Sequence, residues 1–544
     1  MKKSLLLVFA AALLSTSLMA GGIMTNTNQS AAYARMLARN ACLGIDAVYY
    51  NPAGLTKLKN GFYLSLNNQS IFQTKDVTNN YPYLHDTPNA LYTGKVSAPV
   101  FPGVYAVYKM DKLAFSFGFN PVGGGGGATY DKGLPSFEMA ISDLVPSLKP
   151  TFGVTDYKAD INFEGTSVYF GYQFGLSYEV CNSFSVFAGL RSVSAKNTYV
   201  GALRNIQINP VVAGTAYNGT FVKAKDFGTE RAGYYSAVSA QYLGAAQGAA
   251  QLNAHGAGSL TFAQAKAMNL ITATQQAQFE GALVAAGQSA STPIAQSQVI
   301  YGTVAKQTGD AAWQMNGLAA KTGDAEVDAT QTGTGYTPIF GANMTFAEKL
   351  TVAIKYEMIT KLTLTNETAI DGTGMFPNGA TSRSDMPAML SVGLSYPVTK
   401  KFVASLGINY YWDKTADYGK TSGGLPIAND KVIDKNFYEY AVGLEYNITD
   451  NFLVSAGYQG TMTGVSEAYQ SDLSYSLSTG SVGGGCQIGF GDRFDLNLAG
   501  MYTKYKDGEK NYTHLLGATS VPVNEKYAKT TWLVAVGLDV RIGK

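Results

Sequence analysis

Charge is scarce in this chain. Asp, Glu, Lys and Arg make up 14% of its 544 residues, against the ~25% usual in soluble domains. The 40 basic and 38 acidic residues leave a net charge of +2, so no nucleic-acid partner is indicated. Cysteine is rarer still: Cys42, Cys181 and Cys486. An odd count leaves at least one thiol unpaired, and no CxxC occurs. That speaks against a redox motif or a metal site and favours isolated buried thiols over a disulfide. The three histidines, His85, His255 and His514, fall in predicted loops. No Ser-His-acid order, HExxH or GxSxG accompanies them, which argues against an enzyme and against a cofactor. No stretch beyond the N-terminus approaches the ~20 apolar residues of a membrane helix.

What is present is glycine (60), tyrosine (36) and phenylalanine (26). Mean hydropathy is near zero. A transmembrane β-barrel averages out in this way, because half of each strand faces lipid and half faces the lumen.

The first residues, MKKSLLLVFAAALLSTSLMAGG, read as a signal peptide over 1–20. Lys2 and Lys3 supply the charge, Leu5 to Leu14 the apolar run, and Ala20 the cleavage point, although Leu18 is larger than usual there. The run is too short to cross a bilayer. An exported chain with no later stop-transfer helix ends in the periplasm, outside the cell, or in an outer membrane.

Period-2 alternation then dominates. In KFVASLGINYYW, Phe402, Ala404, Leu406, Ile408, Tyr410 and Trp412 share one face, and Val403, Ser405, Gly407, Asn409 and Tyr411 the other. RFDLNLAGMY and TWLVAVGLDVR behave alike. One apolar and one small or polar face mark half-buried strands. Pairs of strands meet at short polar turns near 108–115, 178–186, 344–352, 396–404, 446–454 and 489–497. The other connections are longer: 74–94, 121–164, 201–335, 366–382, 414–434, 463–472 and 507–526. Short turns on one rim and long loops on the other are the outer-membrane pattern. Six hairpins, plus a strand at 61–73 and another at 528–542, predict fourteen strands.

The 201–335 insertion is Ala- and Gln-rich, a helical composition. Thr261 is placed to cap a helix over 262–284, and the expected form is a helical pair over the barrel mouth. At the other end, GGIMTNTNQSAAYARMLARNACLGIDAVYYNPAGL has no period-2 pattern. Asn26 or Thr27 is placed to cap a helix to Asn40, with Ala31, Ala34, Leu37 and Ala38 on one face. Pro52 forces a turn at Asn51. The segment is either a periplasmic extension or a plug. The plug reading divides the chain into signal peptide (1–20), hatch (21–60) and barrel (61–544).

NPAGL after a short helical segment resembles the hatch of the FadL/TodX outer-membrane transporters of long-chain fatty acids and other hydrophobic compounds. SVYFGYQFGLSYEVCNSFSVFAGLRSVSAKNTY, before the large insertion, resembles the strand pair preceding that family's helical external loop. YTPIFGANMTFAEKLTVAIKYEMITKLTL and DMPAMLSVGLSYPVTKKFVASLGINYYW resemble the pairs after it. The resemblance spans the mature chain, and the family's fourteen-stranded, N-terminally plugged barrel agrees with the strand count. It implies passive uptake at the outer membrane of a Gram-negative bacterium: capture at the helical loop, transfer to a lumenal pocket, hatch motion around Asn51, Pro52, Ala53 and Gly54, and lateral release. It also implies a monomer whose partners are a hydrophobic small molecule, outer-membrane lipid and the barrel-assembly machinery. The family opens its wall at a kinked third strand, and the resemblance implies that Gly123, Gly124, Gly125, Gly126 and Gly127 mark an equivalent weak point, a plain flexible loop being the alternative.

Four cations are candidates for a ligand head group. Arg191 and Lys355 face the lumen by parity. Lys196 aligns with a basic family residue but has the wrong parity. Lys414 follows Trp412. Lumenal cations also pair with carboxylates such as Glu357. Two departures from the family stand out: the glycine-rich third strand, and the ending Arg541-Ile542-Gly543-Lys544 where an aromatic residue is usual. A general porin for polar solutes, or a surface adhesin using the large loop, are the alternatives.

Overall fold

Alternation decides which way each strand faces. A computed structural model describes residues 23–422 and 425–542; the expected signal peptide lies outside them. The strands are β1 (Gly61–Asn79), β2 (Ala90–Met110), β3 (Leu113–Tyr130), β4 (Tyr157–Cys181), β5 (Phe184–Ile208) and β6 (Ala325–Phe346). β7 follows as Leu350–Glu357 and Thr363–Asp371, then β8 as Thr381–Arg383 and Met389–Pro397, then β9 (Phe402–Tyr411). The rest are β10 (Phe437–Thr449), β11 (Phe452–Met462), β12 (Thr479–Phe490), β13 (Phe494–Tyr505 and Gly508–Leu516) and β14 (Thr519–Ile542). β1 pairs antiparallel with β14 from Phe62↔Ile542 to Asn79↔Glu525, and this closes a fourteen-stranded barrel.

Leu406 and Ile408 of β9 are 50% and 55% exposed, whereas Ser405 and Asn409 are 4% and 9% exposed. On β14, Trp532, Val534 and Val536 point outward while Leu533 and Ala535 are buried. The apolar face is therefore outside and the small or polar face inside, as lipid surroundings require. All six short turns form where expected.

Strands run further into the predicted long loops than expected: β1 to Asn79 and β2 from Ala90, β3 to Tyr130 and β4 from Tyr157, β5 to Ile208 and β6 from Ala325. Two further places depart more strongly. The predicted loop 507–526 is mostly strand: β13 resumes at Gly508 and turns onto β14 at Gly517, whose φ of 60° favours glycine. The 463–478 connection folds inward and buries Tyr469, Leu473, Tyr475 and Leu477. His514 consequently lies in a strand rather than a loop, with Nε2 2.8 Å from Asp143 Oδ2. The three thiols are unpaired, as expected, but only Cys42 is buried; Cys181 is exposed at a turn and Cys486 is half-buried.

Residues 144–160 and 204–324 form a separate compact unit. Its insertion is helical, but not as one helix over 262–284. With α1 (Ala31–Arg35), α2 (Ala47–Tyr50) and α3 (Pro135–Ser142) in the barrel unit, the helices here are α4 (Leu144–Phe152), α5 (Ala224–Leu252), α6 (Phe262–Ala267), α7 (Ala273–Ala285) and α8 (Ile294–Lys321). Thr261 does cap α6, through a capping box with Gln264, but Asn269 turns left-handed (φ 57°) and a second box, Thr272 with Gln275, starts α7. Phe262 stacks on Phe279 at 4.6 Å between the long helices.

Candidate functional site

The N-terminal segment is buried among the inward-facing side chains of the barrel. Its first helix is short. Ser30, rather than Asn26 or Thr27, caps α1 by accepting from Tyr33 N at 3.0 Å, and the helix ends at Arg35 instead of Asn40. The same Ser30 hydroxyl donates to Asp46 Oδ2 at 2.9 Å. Arg39 makes a fork onto Asp46, Nε to Oδ2 at 3.0 Å and Nη2 to Oδ1 at 2.6 Å. That internal pair folds the segment back on itself.

Polar bonds tie the segment to the wall all round. Arg35 donates to Asn497 (3.0 Å), Ser455 (2.9 Å), Gln487 (3.0 Å) and Glu445. Asn40 donates to Ser391 and Asn409, both at 2.9 Å. Asn51 donates to Cys42 O (3.0 Å) and to Asn343 Oδ1 (2.9 Å). The Pro52 and Ala53 carbonyls accept from Ser177 (2.6 Å) and Ser185 (2.7 Å). Gly54 has no room for a side chain, since a Cβ would lie 2.5 Å from Asn51 Nδ2. The Asn-Pro-Ala-Gly turn is thus built to fit β4, β5 and β6.

Glycines in the wall make room for the plug. Gly443, Gly457 and Gly483 are cross-strand neighbours on β10, β11 and β12. A Cβ on Gly483 would sit 2.2 Å from Ala34 O, and one on Gly457 2.6 Å from Leu37 N.

At the third strand the barrel ladder is interrupted. β2 and β3 pair from Met110↔Leu113 to Val104↔Phe119 and again only at Lys95↔Thr129. Residues 96–103 and 120–128 do not pair with each other. On β2, Pro99 cannot donate a ladder hydrogen bond, and its carbonyl accepts from Asn68 (3.2 Å) and Ser70 (2.9 Å) of β1. On β3, plug groups take the place of β2: Asn26 N donates to Val122 O at 2.9 Å and Gln29 Nε2 to Pro121 O at 2.9 Å. The glycine run permits this. A Cβ on Gly123 would lie 2.1 Å from Met24 O, and Gly124 has φ +87° with no space beside Ser167 O. Gly125, Gly126 and Gly127 continue the same strand, with Gly126 at φ 63°.

Beside this interruption is a small pocket. Val122, Met386 and Met389 form its apolar side, and Tyr49, Arg191 and Glu357 its polar side. Arg191 forks onto Glu357 (2.6 and 3.1 Å) and also donates to Gln173 Oε1 at 2.7 Å. Lys355 Nζ donates to Glu357 Oε1 (2.7 Å) and to the Tyr49 carbonyl (2.7 Å). Both cations flank the Tyr49 ring, Arg191 at 5.1 Å and Lys355 at 4.5 Å from its centroid. Two cations share one carboxylate, so the cluster carries a surplus positive charge. Strand parity brings Arg191 and Lys355 together here. Lys196 is exposed, because the β5–β6 ladder runs without a bulge from Phe184 to Leu203 and keeps its outward parity. Lys414 is exposed in a turn, 3.2 Å from Asp434 O. Neither joins the pocket. Sequence reasoning missed Tyr49, Gln173, Met386 and Met389. The first comes from the plug and the last two from a kinked start of β8, which alternation does not place.

No protein-family model and no curated protein matches the sequence. The fold does find counterparts. A Pseudomonas aeruginosa FadL homologue superposes with TM-score 0.54 and 13% identity, over 96% of this chain and 99% of its own. The chain has the FadL-type fold. The Pseudomonas putida toluene transporter TodX aligns at 15% identity over 92% of this chain and 95% of its own, with TM-score 0.48. The Ralstonia pickettii toluene transporter TbuX aligns at 13% identity over 92% and 94%, with TM-score 0.46.

Proposed function

We propose that this protein is an outer-membrane channel that takes up long-chain fatty acids or similar hydrophobic compounds by passive, hatch-gated diffusion with lateral release. One observation carries the reading. The pocket that joins Val122, Met386 and Met389 to the Arg191–Glu357–Lys355 cluster abuts the stretch where β3 leaves β2 and bonds to the plug instead. The pocket as it stands has room for about one water, so an apolar compound enters it as the plug shifts, and then has the plug on one side and an unladdered wall on the other. Release needs no strand pair to break, only a shift of the plug groups bonded to Pro121 and Val122. The apolar exterior of the barrel supports residence in a bilayer, and no energy source is required for movement down a gradient. A general porin needs an open polar lumen, which the buried plug opposes.

The test is equilibrium binding of a labelled long-chain fatty acid to the folded protein and to a Met389→Trp variant, whose indole fills the pocket. Saturable binding that Met389→Trp abolishes supports the reading. Binding that is absent, or indifferent to this variant, overturns it.

A further inference from the structure

The 463–478 connection crosses the lumen. It leaves β11 and returns to β12, yet its tip is held by the connection between β3 and β4, on the opposite side of the ring. There Asp472 Oδ2 accepts from Ser136 N of α3 at 2.9 Å. Leu473, 6% exposed, belongs to the buried cluster of Tyr130, Phe163, Tyr199 and Val327 from β3, β4, β5 and β6. Nearer its own side, Tyr475 and Leu477 join Val77, Tyr505 and Tyr527 of β1, β13 and β14. The segment therefore spans the barrel from wall to wall, on the long-loop side of the plug.

It is a strap and not part of the wall. Among the described residues, no ladder hydrogen bond ties 467–477 to a strand. Its backbone bonds are to itself: Tyr469 N donates to Ser466 O at 3.1 Å, and Ser471 and Ser474 exchange two bonds of 3.0 Å. Side chains supply the rest of the hold. Lys510 Nζ donates to Gln470 O at 2.6 Å, Lys529 Nζ to Tyr475 O at 2.7 Å and Lys420 Nζ to Ser474 Oγ at 3.1 Å. Lifting the strap costs these bonds and its apolar contacts, but breaks no strand pair. A segment held in this way opens at lower free energy than the ladder around it.

The tip of the strap stands where traffic has to pass. An apolar pocket between Phe137, Phe163, Leu203 and Val327 lies at the outer end of β5 and β6. The Arg191 pocket lies deeper on the same strands. Tyr199, Asn197, Ala195 and Val193 of β5 face inward between the two, and all are buried. Leu473 packs into the cluster that separates them.

We propose that the 463–478 strap is a second closure above the plug, which a hydrophobic compound lifts at Leu473 to pass from the outer apolar pocket to the Arg191 pocket. The proposal rests on the hydrophobic-uptake reading and adds a second gate to it. Passage scales with the fraction of molecules whose strap is raised. The strap falls back behind the compound, so it governs the rates of entry and exit and leaves the affinity alone. Lys510 is a positioning residue: it acts through the strap.

The test uses the full mature chain in lipid nanodiscs and follows association and dissociation of labelled dodecanoate by stopped flow. Folding of each variant is checked by its heat-dependent gel mobility. Lys510→Met is expected to raise both rates about tenfold or more, the scale of one charge-assisted hydrogen bond, while their ratio, the affinity, stays as in wild type. Lys510→Arg should keep the wild-type rates. A variant with 468–476 replaced by Gly-Ser-Gly should be faster still. Rates unchanged in Lys510→Met overturn the closure. So does a loss of affinity at an unchanged association rate, which would make the segment a wall of the binding site. Both results leave hydrophobic uptake standing, whereas a folded wild type that binds no dodecanoate refutes the uptake reading itself.

Discussion

Removing the Arg35 side chain should loosen the plug without unmaking the barrel. Arg35 is 2% exposed. It is bonded to four consecutive strands: Glu445 on β10, Ser455 on β11, Gln487 on β12 and Asn497 on β13. Truncation to Ala leaves Glu445 without its charge partner, and the buried Ser455 and Asn497 and the half-buried Gln487 without this donor. Removing one member of a buried ion pair costs about 3–5 kcal/mol. Hydrogen bonds to charged groups are worth about 1.5–3 kcal/mol each, but they share this one side chain and do not add. About 4 kcal/mol for the whole site is therefore a reasonable scale. At about 1.4 kcal/mol per decade, the plug's release equilibrium shifts by roughly a thousandfold. Cys42 reports it, being buried within the plug while Cys181 is exposed on the rim. A water-soluble maleimide should label Cys181 quickly in both proteins and Cys42 far faster in Arg35→Ala, with a parallel rise in single-channel conductance. Equal Cys42 labelling and equal conductance in a folded Arg35→Ala barrel would refute the claim that these bonds hold the plug.

Further outcomes follow from other contacts. Gly483→Val should lower thermal stability by about 1–3 kcal/mol, the usual cost of overpacking, because its Cβ would press on Ala34 O at 2.2 Å; an unchanged melting profile would contradict the close approach. Glu357→Gln should cost about 3–5 kcal/mol by leaving Arg191 and Lys355 without their shared anion. Denaturation of a triple variant, with Arg191→Met and Lys355→Met added, should recover most of that loss. Lys420, in the loop between β9 and β10, is buried beside Tyr469 and its amine is pushed down to about 7, chiefly by burial and then by Lys510. Its folded pKa is below its unfolded one, so the unfolded chain binds the extra proton between the two values. Stability should therefore rise as pH climbs from about 7 towards the ordinary lysine range, and Lys420→Met should flatten that rise in a denaturant-midpoint series.

Much of the barrel was legible in the residues, for a simple reason. Outward positions such as Leu406 and Ile408 must be apolar in lipid, and inward ones such as Ser405 and Asn409 must be small or polar, so the 2-residue period is imposed by the surroundings on both faces. Turns such as Asp111-Lys112 are short and polar, and equally plain. Arg191 and Lys355 were placed on the lumen side by the same parity. The cap at Ser30 was not legible, since Asn26, Thr27 and Ser30 are all good caps and only the contact with Asp46 selects one. The inward fold of 463–478 was hidden because its anchors are tertiary: backbone carbonyls of Tyr469, Gln470 and Tyr475 accept from Lys420, Lys510 and Lys529. The use of the glycine run was hidden too, because glycine marks close approach without naming what approaches. Here it is the carbonyl of Met24.

The central claim is that a plugged lumen passes hydrophobic compounds and not polar ones. The most direct measurement puts the full mature protein in liposomes and follows two fluxes, labelled long-chain fatty acid and the swelling caused by small sugars. Protein-dependent, saturable fatty-acid flux with swelling no faster than in protein-free vesicles is the predicted result. Rapid sugar-driven swelling with no protein-dependent fatty-acid flux would mean an open porin, and would contradict the account.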